Sequence, residues 1–281
     1  MQPMSQADVK TWLRDKAHIA NLLPNFISLA DVLAIGGQGI VFRGKVRGND
    51  AAVKIYFPGQ LQQRIDREVS ALETLNCDTV VKMLWYGSIN VFEYQLPVVA
   101  TELIDGFSLD NLYKQRAISF DEMGRVVYDI SKAIDAMWNH RIVHRDIKPS
   151  NILIRNDGRA CVIDLGVSRH LDESSLTALG STWGTLGYLS PEQAKSIRQL
   201  TCKSDIYALG VLIVECSLQR HPSRGDQLRL FALGLHQKLP EPLNSWDYSR
   251  HIRSMLHPEP MRRPKPGDLL SAFIQFQRED K

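Results

Sequence analysis

His144-Arg145-Asp146-Ile147-Lys148-Pro149-Ser150-Asn151, followed thirteen residues after Asn151 by Asp164-Leu165-Gly166, is the stretch whose reading decides the fold. It gathers a carboxylate, an ammonium and a neutral amide oxygen into one short run and then adds a second carboxylate. His140 and His144 have the spacing of a zinc-binding pair on a helix. No Glu follows His140, however, and no third ligand of that pattern appears, so zinc hydrolysis is set aside. Residues 152–155 and 160–163 read as two short strands around the turn Asn156-Asp157-Gly158, which makes a hairpin between the two halves of the motif. Upstream, Met123, Val126, Val127, Ile130, Ile134 and Met137 recur at helical spacing, so residues 120–140 are expected to form a helix leading into the motif.

Further toward the N-terminus the signals change. Between residues 26 and 104, short β-branched runs are separated by Gly, Asn, Asp and Pro, as at Val41-Phe42 and over 51–56, 80–85 and 98–103. One helical stretch interrupts them over 60–75, with Leu61, Ile65, Val69 and Leu72 on one face. Ala34-Ile35-Gly36-Gly37-Gln38-Gly39-Ile40-Val41 lies between two strand-like runs. Its glycines let a backbone approach a polyphosphate, and the strand–turn–strand setting excludes a dinucleotide-binding loop, which would open a helix. Residues 6–23 are expected to form one amphipathic helix, capped by Ser5 or Asp8 and ended by Pro24. It would serve either as a packing extension or as a regulatory or dimer-forming segment. Beyond Pro191 the pattern is helical to the end. The β-rich to α-rich shift near residue 104 predicts an α+β chain of two lobes with a ligand cleft between them.

The 281 residues are 44% apolar and 23% charged, which is ordinary for a water-exposed globular protein with a sizeable core. A net charge of +3 from 34 basic and 31 acidic side chains gives no reason to expect nucleic acid, while it permits a local basic patch for a phosphorylated ligand. The longest apolar run, over 207–218, is interrupted by Glu215 and is too short to span a bilayer. The first eight residues lack the basic-then-apolar plan of a signal peptide. Cys77, Cys161, Cys202 and Cys216 are widely spaced, without a C-x-x-C, so reduced thiols and a cytoplasmic setting are expected.

The run His144–Asn151 resembles, residue by residue, the H-R-D-x-x-x-x-N catalytic loop of protein kinases of the Hanks (eukaryotic-like) Ser/Thr type. Other motifs follow in the family's order across about residues 30–275. Gly36, Gly39 and Val41 align with the G-x-G-x-x-G-x-V loop, with Ala34 in place of its first glycine. Ala51-Ala52-Val53-Lys54 aligns with V-A-I-K, and Glu68 stands where the partner glutamate does. Asp164-Leu165-Gly166 replaces D-F-G, and Ser190-Pro191-Glu192 replaces A-P-E. The phrase 188–194 is most similar to bacterial members. The resemblance implies a bilobal protein-kinase fold over 26–276, with an N-lobe over 26–103, a C-lobe over 104–276 and residues 1–25 as a helical extension.

It also implies ATP and Mg²⁺ as cofactors and Ser/Thr hydroxyls of proteins as acceptors. Asp146 would take the acceptor proton, and Lys148 would place positive charge near the γ-phosphate. Asn151 and Asp164 would hold Mg²⁺, and Lys54, held by Glu68, would contact the α and β phosphates. Thr185 would contact Asp146 and Lys148. Ile35, Gly36, Gly37, Gly39 and Val41 would cover the nucleotide. Ala52 and Leu153 would sandwich the adenine, with Thr101 as gatekeeper and Glu102 and Leu103 offering backbone groups. His144 is expected to be structural, Glu192 to pair with Arg263, and Asp205 to brace the catalytic loop. Arg145 implies a phosphate on the activation segment, placed by autophosphorylation at Ser174, Ser175, Thr177, Ser181 or Thr182. Two other readings remain: an ATP-binding pseudokinase scaffold, for which Ala34, Leu165 and Ser190 speak, and a small-molecule kinase of the same fold, against which the segment 185–192 speaks.

Overall fold

A computed structural model describes residues 5–165, 184–197 and 199–277, together with the backbone of 169 and 170. The chain divides into two compact units: residues 1–73 with 81–104, and residues 74–80 with 105–281.

The first unit is built on a five-stranded antiparallel sheet. Its strands are β1 (Ile27–Ile35), β2 (Gly39–Val46), β3 (Asn49–Tyr56), β4 (Met83–Val91) and β5 (Tyr94–Glu102), ordered β1-β2-β3-β5-β4. Alternation along β2 and β3 decides which side is buried: Ile40, Phe42, Val46, Ala51, Val53 and Ile55 face one core. Directly opposed residues share a face, so Val41 with Lys54, and Ala52 with Thr101, occupy the other side.

The single helix expected over 6–23 is two: α1 (Gln6–Trp12) and α2 (Lys16–Ala20). Ser5 and Asp8 form a capping box on the first. Asp15 ends the continuity because its carboxylate accepts the amide of Ala17 and starts a second helix. Val9, Leu13, Ile19 and Leu23 all enter the same core as Ile40 and Phe42. The extension is therefore packed into the sheet's core. A third helix, α3 (Gln62–Thr74), buries Ile65, Glu68, Val69 and Leu72.

In the second unit, β6 (Gly106–Ser108) is followed by α4 (Leu109–Gln115) and α5 (Phe120–Asn139). The short strands β7 (Ile142–Val143), β8 (Ile152–Arg155), β9 (Ala160–Val162) and β10 (Arg169–His170) come next. The hairpin expected around 156–158 is β8–β9, and β6 pairs on its other side. After α6 (Pro191–Ala194) comes α7 (Cys202–Leu218), which is buried on nearly every face and against which α5 packs. A helix apolar all round has to be central. The shorter α8 (Gln227–Ala232), α9 (Ser249–Met255) and α10 (Pro266–Ala272) complete the unit. Cys161, Cys202 and Cys216 are buried, Cys77 is half-buried, and all four are free thiols. Among the described residues no helix is long and apolar enough to cross a membrane.

Candidate active site

The loop entering the motif is held by one buried carboxylate. Asp205, at the start of α7 and 1% exposed, accepts the amides of His144 (2.9 Å) and Arg145 (2.8 Å). Arg145 has φ +72°, a left-handed conformation costly for a side chain of that size. The two bonds from Asp205, with the Gln193 amide donating to the Arg145 carbonyl at 3.1 Å, hold that kink. Burial pushes the Asp205 carboxyl up, and the His144 and Arg145 groups oppose it. His144 is fully buried, and its Nδ1 accepts the Asp146 amide at 3.2 Å, so the imidazole buttresses the loop from beneath.

Four side chains converge beyond the kink. Lys148 Nζ donates to Asp146 Oδ2 (2.7 Å) and to Thr185 Oγ1 (2.6 Å). Thr185 donates to Asp146 Oδ1 through both its amide (2.8 Å) and its hydroxyl (2.7 Å). Asn151, at the end of a 3₁₀ turn over Pro149–Asn151, donates from Nδ2 to the Asp146 carbonyl (3.0 Å) and Oδ2 (3.3 Å). Its amide nitrogen is thereby committed to the loop, which leaves Oδ1 as the end able to ligate. The Ile163 amide donates to the Asn151 carbonyl at 3.0 Å, so the backbone just before Asp164 is tied to Asn151. An amide oxygen and a carboxylate suit a hard cation that keeps water and phosphate ligands. Such a site needs no cage of three acidic, His or Cys groups, and none exists among the described residues. Leu165 is fully buried, whereas Gly166 and the candidates Ser174, Ser175, Thr177, Ser181 and Thr182 lie outside the described residues.

In the first unit, Lys54 Nζ lies 3.5 Å from Glu68 Oε1, so the strand residue and the α3 residue do meet. Two further groups take part that the motif did not reveal. Tyr56 donates its hydroxyl to Glu68 Oε2 at 2.5 Å, and its ring lies 4.5 Å below the Lys54 ammonium. Gln38 Oε1 accepts from Lys54 at 3.4 Å. Gly36 to Gly39 form the β1–β2 turn, closed by the Gly36 amide on the Gly39 carbonyl at 2.9 Å, with Gly37 exposed in the bend. Ile35 stands opposite Ile40 and is 49% exposed. Val41, Ala52, Lys54 and Thr101 share one sheet face. Beyond the strand, the amides of Glu102 and Leu103 are already donated, to the carbonyls of Lys82 (2.8 Å) and Asp50 (3.2 Å). Leu153 belongs to the second unit, half-buried on β8 opposite Ser108 and Cys161.

Glu192 and Arg263 form a bidentate pair at 2.6 and 2.8 Å, both buried, with Ser204 donating to the same carboxylate at 2.9 Å. Burial opposes the Glu192 charge, but Arg263 and Ser204 outweigh it and hold the carboxyl below its ordinary value. The segment before Glu192 is fastened too: Gln227 takes the Gly187 amide and donates to the Leu189 carbonyl, both at 2.8 Å. Tyr188 donates to the buried Glu215, which also accepts from Tyr113 at 2.7 Å.

Residues 28–273 match the protein kinase domain. The chain belongs to the protein kinase family. This kinase chain is 34% identical over 183 residues to a probable serine/threonine-protein kinase PknB of Lactococcus lactis, covering 64% of itself and 28% of that protein. It is 32% identical over 215 residues to the serine/threonine-protein kinase PknE of Mycobacterium bovis, covering 74% and 37%. A probable LIM domain-containing serine/threonine-protein kinase of Dictyostelium discoideum is 29% identical over 248 residues, covering 85% and 37%. The kinase chain thus spans between 28% and 37% of the length of these curated relatives.

Proposed function

We propose that the chain transfers the γ-phosphoryl group of ATP, with Mg²⁺, to Ser and Thr hydroxyls of proteins, its own activation segment included. The observation that carries this is the carboxylate of Asp146, on which Lys148, Asn151 and both donors of Thr185 converge. A carboxylate so fixed can orient an acceptor hydroxyl and take its proton. Lys148 supplies positive charge beside it, where charge moves during transfer. Asn151 Oδ1 and the Asp164 carboxylate would hold Mg²⁺, which neutralises phosphate charge when bound.

Lys54, kept in place by Glu68, would hold the α and β phosphates beneath the Gly36–Gly39 turn. Val41, Ala52, Thr101 and Leu153 would receive the adenine, with Ile35 beside it and backbone groups of Glu102 and Leu103 at its edge. The Ser/Thr acceptor rests on Lys148, two residues after the aspartate as in that branch of the family, and on the names of the relatives. Arg145 would receive the phosphate of the activation segment and help order it. The free cysteines accord with a reducing, cytoplasmic setting.

The test compares wild type and Asp146→Asn with labelled ATP and Mg²⁺, with and without a generic protein substrate. Transfer is expected in wild type and to fall by about 10³-fold or more in the variant, in proportion to the loss of a positioned base and orienting group. Equal label in both overturns the reading, and ATP binding without transfer in wild type favours the scaffold. Phosphopeptide mapping should place modification between residues 166 and 184; its absence there removes the autophosphorylation part alone.

A further inference from the structure

We propose that the second unit carries a docking cleft for an acidic peptide segment of a partner protein, one that places an apolar side chain beside its acid. The cleft, about 400 Å³, is lined by α4, the first turns of α5 and the β8–β9 turn. That is within the range of roughly 300–1,000 Å³ common for ligand sites. The apolar side chains the cleft presents are Phe107, which is 59% exposed, and the half-buried Leu112 and Ile154. Three arginines line it as well: Arg116, Arg125 and Arg155.

The charges in the cleft do not balance. Arg116 is neutralised by a two-point pair with Glu122, at 2.6 and 3.0 Å. Asp157, the other acid in the lining, is taken by Arg159 at 2.8 Å. Arg155 reaches the Cys161 sulfur at 3.8 Å. Arg125 is different: no carboxylate, carbonyl or ring meets its guanidinium among the described residues, and because its Nε is buried, its two terminal nitrogens are the end that a ligand in the cleft can meet. Arginine does not shed its charge, so its terminal nitrogens carry an uncompensated positive charge into the cleft. What the cleft lacks is an anionic acceptor with planar oxygens, the group a guanidinium fork fits best. The apolar side chains of the same cleft give a Leu or Ile of the segment a place to bury, which free phosphate would not use. None of these residues belongs to the set proposed for phosphoryl transfer, so the inference stands or falls independently of it.

The test uses the full chain without ATP and three labelled peptides of equal length. Each carries the same Leu-x-x-Leu pair, flanked by Glu, Gln or Lys, and anisotropy reads the Kd. The Glu peptide should bind tightest, and Arg125→Gln should weaken it about tenfold while leaving the Gln peptide unchanged. Phe107→Ala, at a side chain that is 59% exposed, should weaken the Glu and Gln peptides alike. Equal affinity for all three peptides, or an unchanged Glu peptide in Arg125→Gln, overturns the proposal. So does full displacement of the Glu peptide by equimolar inorganic phosphate, which would make the cleft a simple anion site.

Discussion

Tyr56 donates to Glu68 Oε2 while Lys54 donates to Oε1, and the Lys54 ammonium rests over the same tyrosine's ring. One phenol thus fixes both members of the pair. A hydrogen bond to a charged group contributes about 1.5–3 kcal/mol, so Tyr56→Phe, which keeps the ring and removes the hydroxyl, should lower kcat by about tenfold or more. KM for the protein acceptor should stay unchanged, and steady-state kinetics separate the two; an unaltered kcat would leave Tyr56 with a packing role only. Asp129 offers a pH test at the same scale. It is 7% exposed, and burial, helped by Asp78, pushes its carboxyl up to about 6 against the Ala160 amide that it accepts at 2.7 Å. A folded-state value above the ordinary one means its penalty is absent near pH 4, grows as pH rises and is complete above about 6. Asp129→Asn should therefore gain stability relative to wild type between pH 5 and 7.5, by an amount on the order of 1–3 kcal/mol in urea titrations. A difference that does not change with pH would contradict this. Neither Tyr56 nor Asp129 was legible in the sequence. Asp146 and Lys54 stand in local motifs, whereas Tyr56 meets Glu68 twelve residues away and Asp129 meets Ala160 thirty-one away, partnerships that only folding creates.

At the scale of elements, the β1–β2 turn holds glycines that differ in what they are for. A Cβ on Gly39 would come within 2.3 Å of the Ile55 carbonyl oxygen, because β3 passes directly against it. A Cβ on Gly36 or Gly37 meets nothing within 4 Å. Gly39→Ala should accordingly destabilise the fold by about 1–3 kcal/mol through forced strand displacement. Gly36→Ala should leave the melting temperature within a degree or so of wild type, at about ±0.5 kcal/mol. Thermal melts of the two variants side by side decide it, and equal losses would refute the assignment. The strands and long helices were readable because periodicity marks them. The β8–β9 hairpin and the helix Phe120–Asn139 lie within a residue of where spacing placed them. The break in the N-terminal helix was not readable, since the apolar rhythm runs on through it and only the side chain of Asp15 interrupts it. Strand β4 extends to Val91 through Gly87, Ser88 and Asn90, residues with little strand preference that are held by pairing with β5.

At the scale of the whole molecule, the Glu192–Arg263 pair joins α6 to the chain just before α10, and Arg263 adds bonds to the carbonyls of His257, Lys203 and Pro258. Breaking a buried pair from one side strands the other charge, at a cost of about 3–5 kcal/mol. Arg263→Leu should show that loss by denaturant unfolding, and a loss below about 1 kcal/mol would deny the pair its anchoring role. The sign with pH is opposite to that of Asp129. Glu192 has its carboxyl held below the ordinary value, so its contribution is present above that value and is lost as pH falls through the lower, folded one. The division into units has a practical result as well. The chain passes from one to the other at 73/74, 80/81 and 104/105, and the short inserted piece is stitched into the second unit by the Val162 amide on the Thr79 carbonyl and by the bridge of Val80 with Val162. A fragment ending at residue 104 would carry that piece away from its partner strand, and one beginning at 105 would lack it. A protease nick at 104/105 would leave residues 105–281 without a covalent link to the rest, because the four cysteines are free thiols. Complementation of two separately expressed fragments would have to place the cut inside a unit, at an exposed turn such as Arg47-Gly48, rather than at the boundary between units.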